Sequence, residues 1–201
     1  RYALRESDKL IGSGVLSFLD EALSPTLRDL LVLMIAFSDN TATDRVLELV
    51  GGPGAVDADM QDLGIEDIRL RHTTRDLLWA VFPSEKLALT EAEFLRIAHE
   101  ENLQRQDARV APDAATNIGT PAALNRLLLM IERGETASPA STRMMREILT
   151  LQTYNHRLPL TWPDEIVFAH KTGTLSDMRG DCGIAYFAGQ TVAISAIVQA
   201  I

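Results

Sequence analysis

Two short segments carry the side chains that could do chemistry. Ser38-Asp39-Asn40 places a hydroxyl, a carboxylate and a carboxamide in a row, and Lys171-Thr172-Gly173-Thr174 places an ammonium beside two hydroxyls and a glycine. A serine hydroxyl both donates and accepts, so Ser38 can relay a proton. Asn40 offers two donors and an acceptor, which suits gripping an amide. A lysine at a strand end is a fixed positive charge that can hold a carboxylate and ease ionisation of a nearby hydroxyl. Without a side chain at Gly173, an extended substrate could lie against that strand, and the Thr174 N–H could then serve an oxyanion. Each segment also has a plain structural explanation. Ser, Asp and Asn are the residues a helix N-terminus prefers, and Lys-Thr-Gly can be a polar strand end running into a turn.

The elements that must position these groups can be read from pattern. Ser24-Pro25 reads as an N-cap and first helical residue, and the apolar run from Leu30 to Phe37 predicts a helix buried on most sides. It ends at Ser38-Asp39-Asn40, where a second helix starts at Thr41 and stops at Val50 before Gly51-Gly52. Ala55 to Leu63 predicts a short helix closed by Gly64. Thr90-Glu91-Ala92-Glu93 is a capping box opening a helix to about Arg105. Arg109 to Asn117 has no period and predicts a loop. Thr120-Pro121 and Ser138-Pro139 each begin a helix, one ending near Gly134 and the other near Leu151. Glu165 to Thr172, Asp181 to Phe187 and Thr191 to Ile201 are rich in Val, Ile and aromatics and predict three consecutive antiparallel strands, the last two joined at Ala188-Gly189-Gln190. The class is α+β: a mainly helical part over 1–160 and a three-stranded part over 161–201.

Composition limits the function. The chain has 201 residues, 46% hydrophobic and 23% charged, enough for a globular core. A net charge of −9 opposes nucleic-acid binding, which needs a basic face. Cys182 has no partner for an internal disulfide, and the four histidines show no metal-binding spacing, so His72, His99, His156 and His170 read as structural or surface residues and no metal or cofactor is expected. No apolar run reaches 18 residues, so no membrane span is expected. Arg1-Tyr2-Ala3-Leu4 is no signal peptide.

Ser38-Asp39-Asn40 and Lys171-Thr172-Gly173 are two of the three motifs S-x-x-K, S-D-N and K-T-G that mark penicillin-recognising serine hydrolases; no Ser in these 201 residues has Lys three positions later. The flanks extend the likeness. Leu33 to Thr43 resembles the helix–turn–helix of class A β-lactamases, and Leu49-Val50-Gly51-Gly52 resembles the family segment just after that motif. Gly119-Thr120-Pro121-Ala122-Ala123, Asn155-His156-Arg157-Leu158-Pro159, Val167 to Thr174 and Asp181-Cys182-Gly183-Ile184-Ala185 resemble later family segments, in order.

The resemblance implies a β-lactamase/transpeptidase-like fold, a helical domain packed on an antiparallel sheet of which this chain would hold three of five strands. The S-x-x-K segment and a final helix would lie outside the chain. It implies that Ser38 passes a proton to the departing amine, Asn40 bonds the substrate's side-chain amide, and Lys171 orients the substrate carboxylate and polarises Ser38. Thr172, Gly173 and Thr174 would line the substrate, and Asp39 would anchor the turn. A small-molecule or peptidoglycan-like substrate and a periplasmic or secreted location are implied as well.

Two departures matter. The family's E-x-x-L-N loop, whose Glu activates the deacylating water, has no counterpart near His72-Thr73-Thr74-Arg75-Asp76; Asp76 is the nearest carboxylate, and as a first-turn helical Asp it also has a dipole explanation. The span from Ser38 to Lys171 is wide, with an inserted helix expected near 82–116. Two functions are compatible with this pattern. One is a serine hydrolase acting by acyl transfer on a β-lactam or related amide or ester, with slow or absent deacylation. The other is a non-catalytic β-lactamase-fold protein that binds cell-wall fragments or a protein partner.

Overall fold

The computed structural model describes residues 1–10, 12–20, 23–81, 116–175 and 178–199. Its helices are α1 (Leu27–Ala36), α2 (Asn40–Leu49), α3 (Pro53–Asp62), α4 (Thr74–Val81), α5 (Pro121–Arg133) and α6 (Pro139–Leu149). A two-residue ribbon pairs β1 (Ile68–Arg69) with β2 (Ile118–Gly119), and the main sheet is β3 (Val167–Thr174), β4 (Met178–Phe187) and β5 (Gln190–Gln199). Its order is β3-β4-β5, antiparallel throughout. The helix expected from Thr90 to Arg105, within the expected 82–116 insertion, lies outside the described residues.

The helix starts at Thr120 and Ser138 are where the Pro-at-N1 pattern puts them: Thr120 Oγ1 accepts from Ala123 N and Ser138 Oγ from Ser141 N. The start of α1 is a correction. Ser24-Pro25 is not the cap; Thr26 is, because Thr26 and Asp29 close a reciprocal capping box, with Asp29 N donating to Thr26 Oγ1 at 3.1 Å and Thr26 N to Asp29 Oδ2 at 2.8 Å. Helix α3 likewise begins at Pro53, two residues before Ala55.

The helical core gathers Leu4, Leu16, Leu30, Ala42 and Val46, so the N-terminal segment packs on α1 and α2. Helices α5 and α6 join this layer to the sheet: α5 lies against β4 and β5, and α6 against β3 and α1. Polar pins fix the contact. Ser195 Oγ donates to Asn125 Oδ1 at 2.7 Å, and Tyr186 Oη donates to Glu132 Oε2 at 2.7 Å. The end of α1 and strand β3 are thereby brought together, 133 residues apart in sequence.

Candidate active site

Helix α1 ends and α2 begins within three residues. Phe37 N and Asp39 N both still donate to Leu33 O, at 3.2 and 3.1 Å. Ser38, between them, has φ 54°, a left-handed conformation that costs a residue with a Cβ about 1 kcal/mol and persists only where its surroundings enforce it. Asp39 does the enforcing. Its side chain is buried, Oδ2 accepts from Val15 N at 2.7 Å and Leu16 N at 2.9 Å, and Oδ1 accepts from Ala42 N at 2.8 Å. One carboxylate therefore caps α2 and ties the preceding loop to it. The loop comes so close that a Cβ on Gly14 would stand 2.4 Å from the Asp39 carboxylate, which only glycine avoids. Asn40 N donates to Ser13 O at 2.9 Å, and the Asn40 Nδ2 lies against Gly12. Asp39 is a structural anchor, as expected.

On the other side, β3 runs two residues further than the sequence suggests, through Gly173-Thr174, because the ladder with β4 continues to Thr174 opposite Arg179. Lys171 Nζ donates to Ser38 Oγ at 2.8 Å and to Thr172 O at 2.7 Å. Burial lowers the Lys171 pKa from 10.5 to about 8; the Arg157 guanidinium pushes the same way and Asp181 opposes. An ammonium poised near neutral pH and bonded to a hydroxyl can give up and retake a proton.

The remaining expected residues are placed unevenly. Alternation along β3 puts Lys171 and Gly173 on one face and His170, Thr172 and Thr174 on the other. Thr172 is buried, whereas Gly173 and Thr174 are exposed at the strand end. Among the described residues, a Cβ on Gly173 would meet nothing within 4 Å, so the chain's own packing does not demand glycine there. Sequence reasoning missed a further cation. Arg157 Nη1 donates to Gly173 O at 2.5 Å and also to Gly180 O, while Nη2 donates to Thr174 Oγ1 at 2.6 Å. The signal lay within Asn155-His156-Arg157-Leu158-Pro159, a segment of family likeness in which Arg157 had no assigned role.

His170 is fully buried, with its Nδ1 2.7 Å from Asp181 Oδ1, the structural role expected of it. Cys182 is free and half-buried, and burial raises its pKa. Asp76 is taken up locally: its carboxylate accepts from Thr73 N at 3.0 Å and Thr73 Oγ1 at 2.8 Å, and these bonds hold its pKa below the usual value. Among the described residues no cluster of three or more His, Cys, Asp or Glu could hold a metal, and no helix is long and apolar enough to cross a membrane.

A family model described as "Beta-lactamase enzyme family" matches residues 1–201. No curated protein matches the sequence. The fold is similar to that of a β-lactamase from Sphaerobacter thermophilus, with TM-score 0.75 and 27% identity, covering 98% of this chain and 64% of that one. A β-lactamase from Chitinophaga pinensis gives TM-score 0.73 and 25% identity over 98% of this chain and 66% of that one. PBP-A gives 0.71 and 22% over 96% and 59%, a likeness of fold. This chain thus spans about three fifths to two thirds of the length of these proteins. The α+β, β-lactamase/transpeptidase-like architecture read from the motifs is the one observed, and the chain belongs to the β-lactamase enzyme family.

Proposed function

We propose that this chain supplies the Ser38 and Lys171 walls of a serine hydrolase that acts by acyl transfer on a β-lactam or a related amide or ester. The observation that carries this reading is the 2.8 Å bond from Lys171 Nζ to Ser38 Oγ. In the reaction, the serine of an S-x-x-K segment gives its proton to that segment's lysine and attacks the carbonyl, and the acyl–nitrogen bond breaks. Ser38 hands its proton to the departing amine and takes one from Lys171, and the proton taken from the attacking serine makes good the one Lys171 gave up. Asn40, presented by the same turn, would hold the acyl side-chain amide. Arg157 and Thr174 meet at the exposed end of β3, where cation and hydroxyl can receive a substrate carboxylate. The empty space over Gly173 suits an extended substrate on the strand.

Slow deacylation is part of the proposal. Near the start of α4, the Asp44 carboxylate accepts from Thr74 N at 2.7 Å and Arg75 N at 3.0 Å, while Asp76 is bonded to Thr73. Both carboxylates serve as caps, and neither is left over to activate water. A periplasmic or secreted location accompanies this reading, since cell-wall substrates lie there.

The test is incubation of the full-length protein with a fluorescent penicillin and with nitrocefin. A covalent adduct that outlasts nitrocefin turnover is expected. If neither adduct nor hydrolysis is seen, the non-catalytic binding role takes its place.

A further inference from the structure

The segment Gln152–Leu158 is a strap between the two walls of the site. At one end, Gln152 Nε2 donates to Ile35 O at 2.9 Å, and Thr153 donates to Ala36 O through both N (3.2 Å) and Oγ1 (2.7 Å). These are carbonyls of the last turn of α1, just ahead of Ser38. At the other end, Leu158 N donates to Asp181 Oδ2 at 3.2 Å, and Arg157 crosses from β3 to β4 through Gly173 O and Gly180 O.

His170 anchors the middle of the strap. Its Nδ1 stands 2.7 Å from Asp181 Oδ1 and its Nε2 stands 3.0 Å from Asn155 Oδ1. The Asn155 amide is oriented by its own bond from Nδ2 to Gln152 O at 3.4 Å, so an oxygen faces each ring nitrogen. The ring is stacked on Phe168, with centroids 4.4 Å apart. Opposite it, a Cβ on Gly183 would fall 2.4 Å from the His170 Cβ. His170 is wholly buried and lies on the face of β3 opposite Lys171, so it cannot be part of the proton relay itself. Yet the strap it holds reaches both the helix that presents Ser38 and the arginine at the end of β3.

We propose that His170 is a positioning residue: clamped between Asp181 and Asn155, it fixes the 152–158 strap and thereby holds Arg157 against Thr174. The inference rests on the acyl-transfer reading only for its kinetic consequence. Arg157 is presented for a substrate carboxylate only while the strap is docked. Loss of the clamp then costs carboxylate-bearing substrates more than others.

The test uses the full-length protein with His170→Gln and, at the exposed end of the clamp, Asn155→Ala. Acylation rates are compared for benzylpenicillin and its methyl ester. A fall of about tenfold or more with the free acid and under about threefold with the ester is expected, with a smaller effect in the same sense for Asn155→Ala. Equal losses on both substrates, or none, overturn the proposal. A second readout needs no turnover: Lys171 titration followed by NMR of its 13C-methylated amine. Its midpoint should move up from about 8 in His170→Gln as Arg157 leaves its neighbourhood. An unmoved midpoint overturns the clamp. A moved midpoint in a protein that no penicillin acylates upholds the clamp and removes only the acyl-transfer reading.

Discussion

Ser38 and Lys171 meet at 2.8 Å, but the chain holds them by opposite means. Lys171 sits in a ladder of eight paired residues, where regular hydrogen bonding fixes the backbone and any residue of β propensity would do. Ser38 sits in an irregular turn, held left-handed by one buried carboxylate and a loop threaded past glycine. A ladder distributes its strength over many bonds. The turn concentrates it in Asp39, so the serine wall is the fragile one.

The contrast breaks most visibly at that carboxylate. Asp39→Ala leaves three N–H groups without their acceptor and should destabilise the protein by about 3–5 kcal/mol in urea denaturation, with Asp39→Asn milder because one oxygen remains. On the strand side, the expected effects are smaller. Lys171 titrates at about 8 folded and at 10.5 unfolded, so between these values the unfolded chain binds more protons and stability rises with pH. From about pH 8 to 9.5 the gain should be about 2 kcal/mol, and Lys171→Met should lack the slope. Above pH 10 Tyr186 acts in the reverse sense, because burial and Glu132 hold its hydroxyl protonated in the folded state. Gly183→Ala pushes a methyl into His170 and should cost about 2 kcal/mol, the ladder absorbing part of the strain. The smallest change has the opposite sign. Ser38→Gly relieves the left-handed strain and should raise stability by about 1 kcal/mol while removing the relay hydroxyl.

The same contrast explains which features were legible in the sequence. The helices at Thr120 and Ser138 were readable because cap and proline are adjacent in the chain. The start of α1 was misread because two overlapping cap signals, Ser24-Pro25 and Thr26 with Asp29, differ only in which closes its hydrogen bonds. Strand β3 was cut short at Thr172 because Thr-Gly reads as a turn, whereas pairing with β4 overrides that preference. The β1–β2 ribbon is two residues per strand with a partner about 50 residues away, too short for any period. Ser38 and Lys171, which the structure brings to 2.8 Å, stand out in the sequence by residue type and order. Arg157 and Asn155 were passed over as site residues because their roles depend on where an aperiodic segment crosses the sheet, which no local spacing encodes.

The proposed acyl transfer makes Lys171 and Ser38 a single proton relay. The most direct measurement is the acylation rate of the full-length protein by a fluorescent penicillin, for the native chain, Ser38→Ala, Lys171→Ala and the double variant. Each single change should slow acylation by about 10²–10³-fold, and the double variant should be little slower than either alone, because the two side chains share one task. Losses that multiply in the double variant, or single variants that react at the native rate, would contradict it.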